Sequence, residues 1–261
     1  PHGTTQEIVA GLPKGVKVVD LSADFRLTDP ATYAATYGHE HLAPELQKEA
    51  VYGLTELNRE AVKGARLVAC PGCYPTAALL ALAPLAEERL IDPSDVVIDA
   101  KSGVTGAGRK VDQSLLFAEV GEGIHPYAVG KHRHAPEIEQ ELGRAAGIDL
   151  KVNFTPHLIP MNRGELVTCY LHLAEGKLPD DLRDALAARY DGEPFIGVLP
   201  EGEVPATRNV RGSNFCHIAV FPDRIPGRAI VIAVIDNLVK GSRGQALQNK
   251  NLMLGLQEKN G

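Results

Sequence analysis

Residues 66–83 read RLVACPGCYPTAALLALA, so a short apolar strand, a Pro-Gly turn and a helix follow one another directly. The run 76–83 consists of Thr, Ala and Leu, and Pro75 and Thr76 stand where helices usually begin. A strand that leads through a tight turn into a helix is typical of parallel α/β sheets. The stretch predicts an α/β fold with a buried helix after Cys73.

Outward from this stretch, the pattern predicts two sheet regions and a tail. A strand at 17–21 lies upstream, and with 66–69 it resembles the end of a parallel sheet. A second sheet domain is predicted downstream, with a helix at 180–190 and strands at 96–100, 150–158, 166–173, 215–221 and 229–235. Residues 245–256 are helical in composition and are expected to pack back on the first domain. Residues 1–4 predict a turn that leads into a helix at 5–10, so we expect the sequence to start in the middle of a fold.

The composition excludes several classes of protein. The 261 residues carry 27 basic and 33 acidic side chains and no long basic run, which disfavours nucleic-acid binding. No stretch reaches the roughly 18 apolar residues of a membrane span. Four cysteines are too few for a disulfide scaffold, so we expect free thiols in a reducing compartment. A small-molecule partner is favoured.

The CPGC segment has three interpretations. Cys70 and Cys73 are either small packing residues, a redox pair, or the site of one acyl-accepting thiolate. The position of the motif does not suit a thioredoxin-like domain. A cysteine just ahead of a helix N-terminus has a positive dipole end to stabilise its thiolate. Cys73 has that position, whereas Cys70 lies on the strand side.

A nucleophilic cysteine needs a partner that handles protons, and residues 130–137 (GKHRHAPE) are the densest group of such side chains. His132 and His134 are the candidates. The alternatives are a metal-binding pair, for which no third ligand is evident, and a solvated basic turn.

A small-residue loop at 102–109 (SGVTGAGR) follows a predicted strand. Its backbone N–H groups and Arg109 predict contact with an anion such as phosphate, although a flexible surface loop is equally compatible with the sequence. It is not a Walker loop, because the Lys-Ser/Thr ending is missing.

Four segments in order closely resemble the N-acetyl-gamma-glutamyl-phosphate reductase family: 71–76 (PGCYPT), 102–109, 132–138 (HRHAPEI) and 236–241 (DNLVKG). Five further segments fit the same family: 1–3, 20–26, 52–56, 160–164 and 212–216. The resemblance covers nearly the whole chain. PGCYPT is its most specific element.

The resemblance implies a fold of the semialdehyde dehydrogenase type. Residues 1–75 would be the remainder of an NADP-binding Rossmann domain, 76–235 an α+β catalytic and dimerisation domain, and 236–261 a helix returning to the first domain. The glycine-rich dinucleotide fingerprint would precede residue 1, since none is found here. Cys70 departs from the family, which usually has Asn at this position.

The resemblance also implies an NADPH-dependent reduction of an acyl phosphate through a thioester on Cys73. His132 would act as acid and base, because the ordinary pKa of histidine, about 6.5, suits both roles. The implied substrate-binding residues are Arg109, Arg163 and His134, of which His134 is also the second choice as acid and base. The implied cofactor-binding residues are Pro1, His2, Gly3, Ser102, Gly103, Gly106 and Asn237. No metal is expected.

Three other hypotheses stay open on sequence grounds. A reductase for the aminoadipyl substrate, one methylene longer, differs by only about 1–3 kcal/mol of pocket discrimination. A CxxC thiol-disulfide exchange protein and an inactive structural fragment are the others. The resemblance predicts a homodimer or homotetramer. It predicts the cytoplasm for a bacterial source and the plastid stroma for a plant source, with no leader present in this chain.

Overall fold

The structure is a computed structural model that describes residues 3–108 and 111–260. Its helices are α1 Thr4–Ala10, α2 Pro30–Tyr37, α3 Pro44–Glu49, α4 Thr55–Gly64, α5 Cys73–Glu87, α6 Phe117–Val120, α7 Ala135–Ala146, α8 Pro179–Arg189, α9 Thr207–Val210 and α10 Gly244–Met253. Its strands are β1 Val18–Asp20, β2 Val51–Tyr52, β3 Leu67–Ala69, β4 Ile91–Gly103, β5 His125–Pro126, β6 Val152–Ile159, β7 Glu165–Leu173, β8 Ile196–Val198, β9 Cys216–Pro222 and β10 Arg228–Ile235.

The chain divides into two compact units. The first comprises the residues up to Gly72 and those from Ser242 onward, and the second is Cys73–Gly241. The sequence-based boundaries at 75/76 and 235/236 differ from these by a few residues, because α5 begins at Cys73 and because the turn after β10 stays with the second unit.

The first unit contains a parallel sheet of three strands in the order β1-β3-β2. Successive side chains of a strand point to opposite faces, and β3 uses both. Val68 packs in one cluster with Val62 of α4 and Leu252 of α10, whereas Leu67 and Ala69 pack in another with Val9 of α1. Helices therefore cover both faces, as a parallel sheet requires.

The second unit contains a mixed sheet of seven strands in the order β5-β6-β4-β7-β10-β9-β8. Helix α5 lies against β4, β7 and β10 and also contacts α7 and α8. It is apolar on all sides, and residues 74–86 are all buried, as expected for the central helix of a core. The sheet thereby fixes the position of Cys73, the first residue of α5.

The predicted α/β fold with a second α+β sheet domain is confirmed, and each predicted strand and helix lies within a few residues of an observed one. No bounds were predicted for helices α2, α3, α4, α6, α7 and α9 or for the short strands β2, β5 and β8. Within the described part of the chain, no helix combines the length and apolar character that crossing a bilayer requires.

Candidate active site

A cavity of about 280 Å³ lies in the second unit where the start of α5, the turn after β4 and the loop before α7 meet. It brings together four of the predicted residues, Cys73, Gly106, His132 and His134. The complete lining is Cys73, Tyr74, Gly106, Ala107, Asp112, Ser114, Leu115, His125, Tyr127, His132, Arg133, His134 and Leu158.

The two cysteines of the CPGC segment have different environments. Cys73 is half-buried at the positive end of the α5 dipole, an environment that favours a thiolate. Cys70 is fully buried after β3, and burial raises the pKa of its thiol to about 12. Its Sγ accepts a hydrogen bond from Nδ2 of Asn249 at 3.6 Å. Cys73 is therefore the thiol with access to the cavity.

His132 is enclosed by aromatic rings. The ring centroids of His134, Tyr127, Phe154 and Tyr74 lie 4.8, 5.3, 5.3 and 5.7 Å from that of His132. This burial, with a smaller contribution from the positive charge of Arg133, lowers the pKa of His132 to about 4. The sequence suggested an ordinary value, because it could not reveal this enclosure. His132 is a neutral imidazole at neutral pH.

One hydrogen bond determines which nitrogen of His132 carries the proton. The backbone N–H of His134 donates to Nδ1 of His132 at 3.1 Å, so Nδ1 is an acceptor. A neutral imidazole with an acceptor at Nδ1 carries its proton on Nε2. In this arrangement Nε2 is a hydrogen-bond donor rather than a base.

We expect the NMR titration of His132 to have its midpoint near pH 4. The unfolded chain takes up this proton near pH 6.5, so it binds more protons than the folded protein between the two values. Stability should therefore decrease as the pH falls from 6.5 towards 4, and less so in a His132→Gln variant. A midpoint near 6.5 would contradict the enclosed imidazole.

Glu165 is a buried acid at this site that the sequence analysis missed. It is 0% exposed and begins β7, directly opposite Ser102 of β4 and Ile235 of β10. Burial raises the pKa of Glu165 to about 8, although the Cys73 thiol acts in the opposite direction. The sequence did contain a signal for its burial, because alternation along β7 places Glu165 on the same strand face as Val167, Cys169 and Leu171.

Two tyrosine hydroxyls adjoin these groups. The hydroxyl of Tyr127 donates to that of Tyr74 at 3.1 Å. Burial is the main cause that raises the pKa of both phenols, and the nearby charge of Glu165 adds to it. Both hydroxyls are therefore neutral across the physiological range.

The loop at 102–109, which was predicted to hold an anion, makes backbone hydrogen bonds to another segment of the protein. The N–H groups of Gly103, Val104 and Thr105 donate to carbonyl oxygens in the segment 161–164 at 2.9, 2.9 and 3.4 Å. These three groups are therefore not available to hold phosphate. Residues 104–107 form a 3₁₀ turn, so this part of the loop has regular structure.

Ser102 and Asn237, both predicted to bind cofactor, are buried below this turn. The side chain of Asn237 accepts from the N–H of Gly164 at 2.9 Å and donates to Oγ1 of Thr105 at 3.0 Å. A side chain at Gly106 would collide with Oγ of Ser102, so any larger residue there would require the buried Ser102 to move. Its backbone nevertheless lines the cavity beside Cys73.

The remaining predicted residues lie away from the cavity or outside the described residues. Nη1 of Arg163 lies 3.5 Å from Oδ2 of the buried Asp236, an ion pair that holds Arg163 outside the cavity lining. The N–H of Gly3, in the first unit, donates to Asp24 at 2.7 Å. Pro1, His2 and Arg109 lie outside the described residues. Among those that are described, no three His, Cys, Asp or Glu side chains gather closely enough to hold a metal ion.

Gly241 packs directly against the predicted nucleophile. A Cβ built at this position would lie 2.7 Å from Cβ and 3.1 Å from Cα of Cys73, and 3.1 Å from the side chain of Ile235. Only a residue without a side chain allows this approach.

Comparison with known proteins identifies the family to which the chain is similar. Residues 73–237 match the family described as semialdehyde dehydrogenase, dimerisation domain, and residues 1–65 match its NAD binding domain. A protein of Arabidopsis thaliana named probable N-acetyl-gamma-glutamyl-phosphate reductase, chloroplastic, is 58% identical over 261 residues, with 100% of this chain and 65% of that protein covered. The N-acetyl-gamma-glutamyl-phosphate reductase of Rhodospirillum rubrum is 58% identical over 263 residues, with 99% and 75% covered.

This chain thus spans 65% of the length of the plant relative and 75% of the bacterial one. Its fold is similar to the crystal structure of aspartate semialdehyde dehydrogenase II from Vibrio cholerae, with a TM-score of 0.73 at 16% identity, over 97% of this chain and 78% of that one. That structural similarity concerns the fold alone. The high identity to the curated relatives shows that the chain belongs to the N-acetyl-gamma-glutamyl-phosphate reductase family.

Proposed function

We propose that the protein reduces N-acetylglutamyl 5-phosphate to N-acetylglutamate 5-semialdehyde and phosphate with NADPH, in arginine biosynthesis. The observation that carries this proposal is a single cavity lined both by Cys73, at a helix N-terminus, and by His132. The names of the relatives support the choice of substrate.

In this proposal, Sγ of Cys73 attacks the acyl carbon, the bond to phosphate breaks and a thioester forms. A thioester accepts hydride more readily than a carboxylate, which is why the covalent step is useful. The developing negative charge on the carbonyl oxygen needs a hydrogen-bond donor, and Nε2–H of His132 can supply one. The proposed roles of Cys73 and His132 thus depend on a nucleophile and a hydrogen-bond donor that line the same cavity.

The charge of the substrate calls for a cation, and Arg133 lines the cavity. Because Arg163 is paired with Asp236, we propose that Arg133 attracts the anionic end of the substrate. His134, also in the lining, would contact the same substrate. Substrate roles for Arg109 and Arg163 stay predictions.

The cavity wall also fits a flat ring, because Gly106 and Ala107 present no side chain larger than a methyl group. A bound NADPH would supply hydride there, and the choice of NADPH over NADH is part of this proposal. Cofactor contacts by Pro1, His2, Gly3, Ser102, Gly103 and Asn237 stay predictions.

We propose a homodimer or homotetramer that uses the second unit. Val97 and Tyr170 lie on the sheet face opposite the buried residues of β4 and β7, and each is 37% exposed. This exposed sheet face, which also carries the ion pair of Asp99 and Lys101, would be covered by a second copy in the proposed oligomer. The compartment follows the source: plastid stroma for a plant, cytoplasm for a bacterium.

The test is the reverse reaction of the complete protein, which is reduction of NADP⁺ by N-acetylglutamate semialdehyde. We expect turnover that requires inorganic phosphate, because phosphate must release the acyl group from the thioester. Turnover with NAD⁺ should be slower. Turnover that is independent of phosphate would contradict the acyl-phosphate reaction.

Two parallel assays address the alternative functions. Faster turnover with the aminoadipate semialdehyde derivative, one methylene longer, would favour the lysine-pathway substrate. Reduction of a disulfide substrate by the protein would favour the thiol-disulfide exchange function. The high pKa of the buried Cys70 thiol argues against that function.

A further inference from the structure

We propose that Asp236 is a positioning residue for the reaction, because it fixes the turn 236–241 that places Gly241 against Cys73. The proposal rests on the proposed function, since it concerns where the nucleophile of that reaction lies. Asp236 is not part of the cavity lining, so it acts through the turn and not on the substrate.

One oxygen of Asp236 and its backbone carbonyl shape this turn. Asp236 follows β10 directly and is 0% exposed. Its Oδ1 accepts hydrogen bonds from the N–H groups of Leu238 and Val239 at 2.8 and 3.2 Å. Its carbonyl oxygen accepts from the N–H groups of Val239 and Gly241, both at 3.1 Å. The backbone of the turn is thus bonded to Asp236 as far as Gly241.

The second carboxylate oxygen anchors the turn to the rest of the unit. Oδ2 accepts the N–H of Gly212 at 2.7 Å and lies 3.5 Å from Nη1 of Arg163. Gly212 lies just after α9, and Arg163 lies between β6 and β7, so these partners come from separate parts of the chain. A buried carboxylate needs such partners, because a buried charge without them is costly. They hold Asp236, and with it the turn, in one orientation.

The far end of the turn reaches the nucleophile. Gly241 approaches Cys73 so closely that a Cβ on the glycine would lie 2.7 Å from Cβ of the cysteine. Lys240 and Gly241 are both buried, and Nζ of Lys240 lies 5.8 Å from the ring centroid of Phe195. Because backbone and not a flexible side chain packs behind Cys73, the position of its thiol depends on the shape of the turn.

The neighbouring residue connects the same turn to another part of the cavity lining. Asn237 accepts the N–H of Gly164 and donates to Oγ1 of Thr105, within the 3₁₀ turn that carries Gly106 and Ala107. Two adjacent residues therefore hold the nucleophile and the small-residue wall of the cavity. A change of shape at Asp236 would alter the distance between these two parts of the site.

The test compares Asp236→Ala and Asp236→Asn with the complete wild-type protein. Alanine removes both carboxylate oxygens, so we expect kcat of the phosphate-dependent reverse reaction to fall about thirtyfold. The KM for the semialdehyde should change by less than about threefold, because the substrate contacts remain. Asparagine keeps one oxygen that can accept from the turn, and it should recover about tenfold of the lost kcat.

Asp223→Ala is the matched control. The carboxylate of Asp223 also accepts a backbone N–H in a turn after a strand of this sheet, from Ile225 at 3.0 Å. It lies outside the cavity lining. We expect this variant to keep the kcat of the wild type.

A double-mutant cycle distinguishes positioning from a general loss of stability. If Asp236 acts through Gly241, the double variant Asp236→Ala/Gly241→Ala should lose about a hundredfold in kcat, as Gly241→Ala alone does. Independent effects would multiply to a loss of about three thousandfold. Additive free-energy changes in this cycle, or a loss confined to KM, would overturn the positioning role.

A further measurement needs no substrate. Cys70, Cys169 and Cys216 are buried, so iodoacetamide should alkylate Cys73 selectively. In Asp236→Ala the pH at half-maximal alkylation rate should rise by about half a unit or more, because a displaced thiolate loses stabilisation by the α5 dipole. Asp223→Ala should keep the wild-type midpoint.

The alkylation profile separates the two proposals. An unchanged midpoint in Asp236→Ala would overturn the positioning role, whether or not turnover changes. A raised midpoint, with a wild-type protein that does not turn over N-acetylglutamate semialdehyde, would support the role of Asp236 and reject the proposed function. If Asp236→Ala does not fold, Asp236→Ser offers the turn one hydroxyl acceptor and replaces it in each measurement.

Discussion

Replacing Cys73 by Ser should lower phosphate-dependent turnover by about four orders of magnitude or more. The serine hydroxyl would occupy the same place at the start of α5, but it ionises far less readily than a thiol and cannot form a thioester. The measurement is NADP⁺ reduction by N-acetylglutamate semialdehyde with and without phosphate. Mass spectrometry should detect an acyl group on wild-type Cys73 when acyl phosphate is added without NADPH.

Cys70→Ser is the matched control for this variant. Cys70 is buried in the first unit, and its sulfur accepts one hydrogen bond from Asn249, which a serine oxygen can also accept. We expect this variant to keep its turnover. Survival of turnover in Cys73→Ser would reject Cys73 as the nucleophile, whereas equal losses in both variants would favour a function of the cysteine pair.

The second large effect is expected from Gly241→Ala, a change of one methyl group. The added Cβ would lie 2.7 Å from Cβ of Cys73, and neither residue can move aside as a flexible side chain would. The nucleophile would therefore shift by several tenths of an ångström, and kcat should fall about a hundredfold, as expected when reacting atoms are misplaced. The assay is the same phosphate-dependent turnover.

Gly64→Ala is a suitable control for this prediction. Gly64 ends α4, and a Cβ there would meet nothing within 4 Å. Its turnover and folding should match those of the wild type. Normal turnover in Gly241→Ala would show that the start of α5 can adjust, and it would contradict the close packing described here.

The sequence was sufficient to predict the strand, turn and helix around Cys73, because propensity and apolar pattern agree there. It also indicated His132, because few segments combine so many proton-handling groups. The lowered pKa of His132 was not predictable, since its burial depends on the rings of Tyr74 and Phe154, which are distant in sequence, as well as on nearby Tyr127.

Glu165 was missed by the sequence analysis, whereas Arg163 was expected to be more available than it is. Arg163 occurs in a segment that the sequence analysis noted, whereas Glu165 lies between two such segments, and only the strand register brings it opposite Ser102. Arg163 looked available for an anion, and the structure instead pairs it with the buried Asp236. Local patterns identify reactive residue types, whereas partners from distant strands determine which of them are free to react.

The docking of α10 on the first unit affects how the protein forms during synthesis. Thr55 bonds Asn249 of α10, 194 residues later, and the cluster around Val62 and Val68 is completed only by Leu252 and Met253. The ribosome must therefore make the entire second unit before this apolar face can be covered. A nascent chain leaves it open to chaperones, or to aggregation, until α10 emerges.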